Sequence, residues 1–169
     1  QEGALFDSMT VLESVALPLS SLGEDFEERS EHAYRILSEV GLGDAFRKYP
    51  GQLSGGMRRR VGLARALVAN PEIVLLDDPT GGLDPVAASI IMNLIKRLHA
   101  QSRSTVVLVS HDIRRLLPNV ERVLCLFDGK IVADCEPEHL VRMAPDNVVS
   151  FLRTRFDFST FGTEVPVPA

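Results

Sequence analysis

Apolar and polar positions along this chain follow two periods. Ile73, Val74, Leu75 and Leu76 form an unbroken apolar run, entered from Asn70-Pro71-Glu72 and stopped by Asp77, Asp78 and Pro79. A short apolar run between breakers reads as a strand buried on both faces, as in a parallel sheet. Thr105–Val109 predicts a second buried strand, followed by Ser110, His111 and Asp112. Between the two, Val86–Ala100 places Ile90, Ile91, Leu94, Ile95 and Leu98 at helical spacing. Upstream, Glu24–Val40 predicts an amphipathic helix with acids in its first turn, Phe26, Ala33, Ile36, Leu37 and Val40 as its buried stripe, and Gly41 as its stop. Ser54 caps a further helix running to about Ala69, with Met57, Val61, Ala64, Leu67 and Val68 inward. Thr10 and Glu13 form a capping box ahead of Leu12, Val15, Ala16 and Leu19, and Pro18 shortens that helix. Downstream, a short helix over Ile113–Leu117 leads to Arg122–Phe127 and Lys130–Cys135. These flank Asp128-Gly129, a two-residue hairpin signal. Helices near Pro137–Met143 and Asn147–Arg155 follow.

Composition narrows the classes. The 169 residues, 45% of them apolar, suffice for one domain with a core. Net charge is −5, from 18 basic and 23 acidic residues, which argues against nucleic acid as the main partner. Arg58-Arg59-Arg60 is the only basic run and reads as one helical turn with solvated or ion-paired faces. No apolar run approaches the ~20 residues that span a bilayer. If Phe127 pairs with Lys130, Cys125 lies opposite Val132 and Cys135 opposite Arg122, so the thiols point to opposite faces. Unpaired thiols of this kind suit a reducing compartment.

Four sites can carry chemistry. Asp77 and Asp78 sit at the carboxyl end of a buried strand, where open α/β sheets place ligands. Carboxylates there need a cation or donors, unless the pair simply occupies a solvated turn. Ser54-Gly55-Gly56 at a helix start is either an anion site or an ordinary capped helix. Asp84 beside Pro85 fits a helix N-cap. His111 follows the second strand in line with Asp77 and Asp78, as a phosphate contact or a structural histidine.

The order of these motifs is more specific than any one of them. Leu53-Ser54-Gly55-Gly56-Met57, then the strand ending in Asp77-Asp78, then Gly82-Leu83-Asp84-Pro85, then the strand ending in Ser110-His111-Asp112, resembles the ATPase domain of ABC transporters over residues 1 to about 140. The resemblance makes Leu53–Met57 the signature motif, Val74–Asp78 the Walker B strand, Leu83-Asp84 the D-loop, His111 the switch histidine and Gln1 the Q-loop glutamine. It implies ATP and Mg2+ as cofactors. Asp77, usually through water, and Gln1 would hold the metal. Asp78 stands where the general base is normally Glu, one methylene longer. His111 would contact the γ-phosphate and position the attacking water. Ser54, Gly55 and Gly56 would hold the γ-phosphate of ATP bound mainly to a second subunit, and Asp84 would cross the dimer interface.

No GxxxxGK[ST] phosphate loop occurs, since none of Lys48, Lys96 and Lys130 follows such a pattern. The expected fold is therefore the C-terminal part of a P-loop NTPase ABC ATPase domain, cut at the Q-loop. It has an α/β parallel-sheet core, a helical subdomain and a C-terminal β-hairpin. Residues 1–52 would hold the Q-loop and helical subdomain, 53–145 the signature helix and α/β core, and 146–169 a C-terminal extension. By itself this stretch is expected to hydrolyse no ATP.

The phrase GALFDSMTVLESVALPL, Gly3 to Leu19, is similar to the ATPases of Mla/MCE phospholipid transport systems. That similarity implies a transmembrane ABC permease subunit, a second ATPase subunit as homodimer and an MCE-type substrate-binding protein as partners. It also implies a cytoplasmic location on the inner face of the cell membrane. Phe6, Met9 and Leu12 would either receive the permease or close the domain's own core. Phe156, Phe158 and Phe161 suggest a tail that docks on the sister subunit. Two other readings compete: a non-transport ABC ATPase acting on DNA or ribosomes, and a non-catalytic interaction module.

Overall fold

Local capping decides where the helices begin. In the computed structural model, which describes residues 5–23, 25–102 and 104–161, helix α1 (Val11–Ala16) starts from a full capping box. The Thr10 N–H donates to the Glu13 carboxylate at 2.7 Å, and the Glu13 N–H donates back to the Thr10 hydroxyl at 3.2 Å. Helix α2 (Phe26–Glu39) is capped by Asp25 and stops at Gly41, whose φ of 71° suits glycine. Helix α3 (Gly55–Leu67) starts from Ser54, whose hydroxyl accepts the Met57 N–H at 3.2 Å. Two arginines close the far end of α2. Arg60 of α3 donates to the Val40 carbonyl at 3.2 Å, and Arg97 of helix α4 (Pro85–Ser102) donates to the Glu39 carbonyl at 2.6 Å. Cations there meet both orphan carbonyls and the negative end of the helix dipole.

The chain forms two compact units, Gln1–Ser110 and His111–Ala169. In the first, strands β1 (Ile73–Asp77) and β2 (Thr105–Val109) pair in parallel, Ile73 opposite Thr105 and Asp77 opposite Val109. The buried Ser104 hydroxyl donates to the Pro71 carbonyl at 2.6 Å and fixes the entry to both strands. Val11, Leu37, Val61, Val74 and Ile91 belong to one core, so the stretches 1–52 and 53–110 share an interior.

The strands differ from expectation. Val74, Leu76, Val106 and Leu108 face that core, whereas Ile73, Leu75, Val107 and Val109 are exposed, Leu75 at 73%. The described helices of this unit cover one face of the pair, and the other is bare. Two helical positions also turn outward. Phe26 is 67% exposed because it opens α2 a full turn or more before Ala33. Ile90 is 52% exposed because its neighbour Ile91 takes the core side, and adjacent helical residues lie about 100° apart.

In the second unit, α5 (Ile113–Leu116) is followed by an antiparallel hairpin, β3 (Val123–Phe127) and β4 (Lys130–Cys135). Phe127 pairs with Lys130 as expected, but a bulge leaves Val132 unpaired, so Cys125 faces Ala133 and Cys135 faces Val123. The slip of one residue puts both cysteines on the same, core-facing side instead of opposite faces. They remain free thiols on diagonal positions, and burial pushes both thiol pKa values up. Arg122 and Asp134 form an exposed two-bond ion pair across the hairpin, both contacts at 2.7 Å.

Helices α6 (Leu140–Met143) and α7 (Asp146–Arg153) complete the unit with a turn at Phe158. Phe158 is 2% exposed in the same core as Val148 and Leu152, and its ring meets Phe156 edge-on at 5.0 Å. The tail expected to dock on a sister subunit thus packs into its own unit through Phe158. Residues 162–169 lie outside the described residues.

Thr10→Ala removes the hydroxyl arm of the α1 cap, leaving the residue-10 N–H to the Glu13 carboxylate, and is expected to destabilise the first unit by about 1 kcal/mol in denaturant unfolding. The hydrogen bonds from Thr10 hold the Glu13 carboxyl below its ordinary range. That contribution is present above the unfolded-state glutamate pKa and is lost as pH falls through the lower folded value. Only the share carried by the Thr10 hydroxyl is missing from the variant, so the gap between the wild-type and Thr10→Ala midpoints is expected to narrow in acid without closing.

Candidate functional site

The site is built at the end of β1. Asp77 is the last strand residue and is exposed. Asp78 then turns into the left-handed region, with φ of 42°, which a non-glycine residue adopts only when its surroundings hold it there. Three contacts do so. The Asp78 N–H donates to the Val109 carbonyl at 2.8 Å, extending the parallel ladder by one step beyond the strand. The Gly81 N–H donates to the Asp78 carbonyl at 3.1 Å, folding Pro79–Gly81 back. The Ser110 hydroxyl donates to Asp78 Oδ1 at 3.4 Å. A Cβ on Gly81 would overlap the Asp78 carboxylate, so the missing side chain is what lets the acid lie there. Asp84 follows in the same loop. Its Oδ1 accepts the Val86 and Ala87 N–H groups at 2.9 and 3.0 Å, the N-cap of α4.

The sequence-predicted residues fall into three groups. Asp77, Asp78 and Asp84 stand on one loop between β1 and α4. Ser54, Gly55 and Gly56 stand at the start of α3. A Cβ on either glycine would meet nothing within 4 Å, so internal packing does not demand glycine there. His111 opens the second unit, exposed, with its carbonyl accepting the Ile113 N–H at 3.1 Å. Gln1 lies outside the described residues.

Sequence reasoning did not assign roles to Ser110, Gly81 and Arg59. The first two were legible as small residues flanking acids in a strand-end loop. Arg59 was hidden in the basic run read as solvated or ion-paired. One of its guanidinium nitrogens, Nη1, is instead buried without a partner, beside a cavity of about 210 Å³ that Asp77 and Leu75 also line. Among the described residues, the group of metal-ligand type is Glu136, Glu138 and His139, all exposed on the second unit and apart in sequence from these motifs.

The family model for ABC transporters matches residues 1–81. Solved structures of the ATP-binding cassette MJ0796, one a dimer in a post-hydrolysis state bound to ADP and Pi, superpose with TM-scores of 0.71 and 0.72 at 38% identity. The match covers 81% of this chain and 60% of theirs. The chain belongs to the ABC transporter ATPase domains. Curated relatives include ABC transporter H family member 2 of Dictyostelium discoideum, 43% identical over 75% of this chain and 25% of its own length. The glycine betaine/proline betaine transport ATP-binding protein ProV of Escherichia coli is 38% identical over 90% of this chain and 38% of its own. The macrolide export protein MacB of Aggregatibacter actinomycetemcomitans is 37% identical over 92% and 23%. The chain thus spans between 23% and 38% of these three relatives. Two of these names state a substrate, glycine betaine/proline betaine for one and macrolides for the other, and neither is a phospholipid. The ABC ATPase fold expected from the motif order is the fold found.

Gly81→Ala drives a methyl group into the Asp78 carboxylate. It is expected to destabilise the first unit by about 1–3 kcal/mol, the range for overpacking, read as a lower urea midpoint. An unchanged midpoint would show that the acid reseats without strain.

Proposed function

We propose that this chain carries the signature motif and acidic strand tip of the ATP-binding, ATP-hydrolysing subunit of an ABC transporter. The observation that carries the reading is the seat of Asp78. A carboxylate held in a left-handed turn by the Val109 carbonyl, Ser110 and Gly81 is preorganised beyond what a solvated turn needs. Beside it, Asp77, Asp78 and the Ser110 hydroxyl present hard oxygen donors, which fit magnesium. Asp77 and the Q-loop residue Gln1 would hold the ion, and when bound it neutralises phosphate charge.

The remaining roles follow from the chain's own groups. Asp78 accepts the proton of the water that attacks the γ-phosphorus, while the bond to the ADP oxygen breaks, leaving ADP and inorganic phosphate. His111 positions that water. The open N-terminus of α3 at Ser54, Gly55 and Gly56 offers backbone N–H groups to the γ-phosphate of ATP on a second subunit. Asp84, whose Oδ1 caps α4, crosses to that subunit.

The phosphate loop comes from a further segment of the cassette. Its place is the bare face of Ile73, Leu75, Val107 and Val109, together with the cavity beside the unpaired Arg59 nitrogen. All-parallel sheets are normally covered on both faces. Burying each of those side chains is worth about 1.5–3 kcal/mol. The matched cassettes are longer than this chain, which covers 60% of them.

The finer reading is phospholipid transport of the Mla/MCE type, with a transmembrane permease, an identical second ATPase subunit and an MCE-type substrate-binding protein. It places the chain on the cytoplasmic face of the cell membrane, bound through the permease. No helix among the described residues is long and apolar enough to cross a membrane. The phrase from Gly3 to Leu19 supports this branch, and Phe6, exposed ahead of α1, is available to a permease.

In a complete cassette carrying this sequence, Asp78→Asn is expected to lower kcat by about 10²–10⁴-fold, the range for a general base. His111→Ala is expected to lower turnover with ATP binding retained. Wild-type turnover in both variants would remove these residues from the mechanism. Affinity purification from membranes is expected to bring down a permease together with an MCE-type protein. Recovery of a permease without one would end the phospholipid assignment and leave the ATPase reading intact.

A further inference from the structure

We propose that the C-terminal segment Asp146–Phe158 is a brace that sets the position of the His111 turn, with Arg114 as its positioning residue. Helix α5 begins two residues after His111 and has four residues, too few to persist without outside contacts. Its start is fixed locally: Asp112 accepts the Arg115 N–H and pairs with the Arg115 guanidinium, and the Ile113 N–H returns to the His111 carbonyl. Its body is fixed from the far end of the chain. Arg114 Nε donates to the Arg155 carbonyl at 2.6 Å, a link across 41 residues. Ile113 and Leu117 share a core with Val148, Leu152 and Phe158.

The segment that receives Arg114 is itself held. The Arg155 and Phe156 N–H groups both donate to the Leu152 carbonyl, at 3.0 and 2.9 Å. The Arg155 guanidinium lies 5.3 Å from the centre of the Phe151 ring, a cation–π distance. An apolar contact and a charged hydrogen bond therefore tie the segment to α5 by separate means. Because the His111 carbonyl is bonded into the first turn of α5, the residue moves with that helix. Whatever releases the C-terminal segment then shifts the histidine. The consequence for ATP turnover rests on the reading of His111 given above; the brace itself does not.

Hydrogen exchange on the intact chain tests it without ATP. Arg114→Ala is expected to speed exchange of the His111–Leu117 amides about five-fold, as loss of one exposed charge-assisted hydrogen bond does. Exchange in β3 and β4 stays at the wild-type rate, and Arg114→Lys, which can still donate, restores most of the protection. Arg122→Ala, which breaks the hairpin ion pair instead, leaves residues 111–117 unchanged. Unaltered exchange at 111–117 in Arg114→Ala overturns the brace. So does an equal rise across the whole unit, which would make Arg114 a general stabiliser. In the complete cassette, Arg114→Ala is expected to lower kcat several-fold with KM for ATP unchanged. Faster local exchange with an unchanged kcat upholds the brace and overturns the role given to His111.

Discussion

The hydrogen bond from Asp78 N–H to the Val109 carbonyl is the contact on which the rest of the first unit's chemistry depends. It is the last rung of the β1–β2 ladder, donated by a residue beyond the strand's regular span. Because the ladder continues one step past Asp77, the chain cannot simply drift away at Pro79. It must turn sharply at Asp78, and a positive φ is the form that turn takes. The turn aims one acid outward at the strand tip and folds the next back toward Gly81 and Ser110. It also delivers Asp84 to the start of α4, where its side chain ends the loop and begins the helix. Parallel register, turn and helix cap are thus one continuous constraint, and a slip of either strand would disperse the acids.

That constraint makes the bare sheet face informative. The strands are short and their outward side chains are aliphatic, a composition suited to burial rather than to water. The inward side is packed against helices from both halves of the first unit, so the ladder does not need the outer cover to hold its register. Outer cover would therefore add stability without having to create the acidic tip. The unpaired Arg59 nitrogen beside the cavity points the same way. A buried donor without an acceptor is costly, and a covering segment that brings a carbonyl or carboxylate removes the cost.

Much of this was legible in the sequence because it was local. The Thr10–Glu13 box, the Ser54 cap, Gly41 as a stop and the Asp128-Gly129 turn are each set by neighbours within a few residues, and each forms as the residue types require. The acidic tip was legible because an apolar run followed by two acids and proline leaves little choice. The failures share a different cause. Whether both faces of β1 are covered depends on elements distant in sequence, and an apolar run reads the same either way. The Val132 bulge shifts register with no glycine or proline to announce it, which reversed the expected facing of the two cysteines. Ile90 and Phe26 sit at the border of their helices' apolar stripes, where packing rather than period decides. Phe158 looked like a docking residue because its partners, Val148 and Leu152 among them, belong to a core assembled from the whole second unit.

The same distinction bears on the shortness of Asp78. By residue type alone, an aspartate in place of glutamate loses a methylene of reach. The seat around it favours the shorter acid. Its carboxylate fills the space that a Cβ on Gly81 would take and is within reach of the Ser110 hydroxyl. A glutamate with the same backbone would carry its carboxylate past this cradle, losing the contacts that fix it and gaining rotamer freedom to be restrained. Substitution by the longer acid therefore exchanges a fixed, short carboxylate for a mobile, longer one. Position counts for more than length in proton transfer, since the base must sit within about 2.6–3.2 Å of its proton or of one bridging water. In the role proposed for Asp78, the turn, not the number of methylenes beyond it, decides where the carboxylate can be.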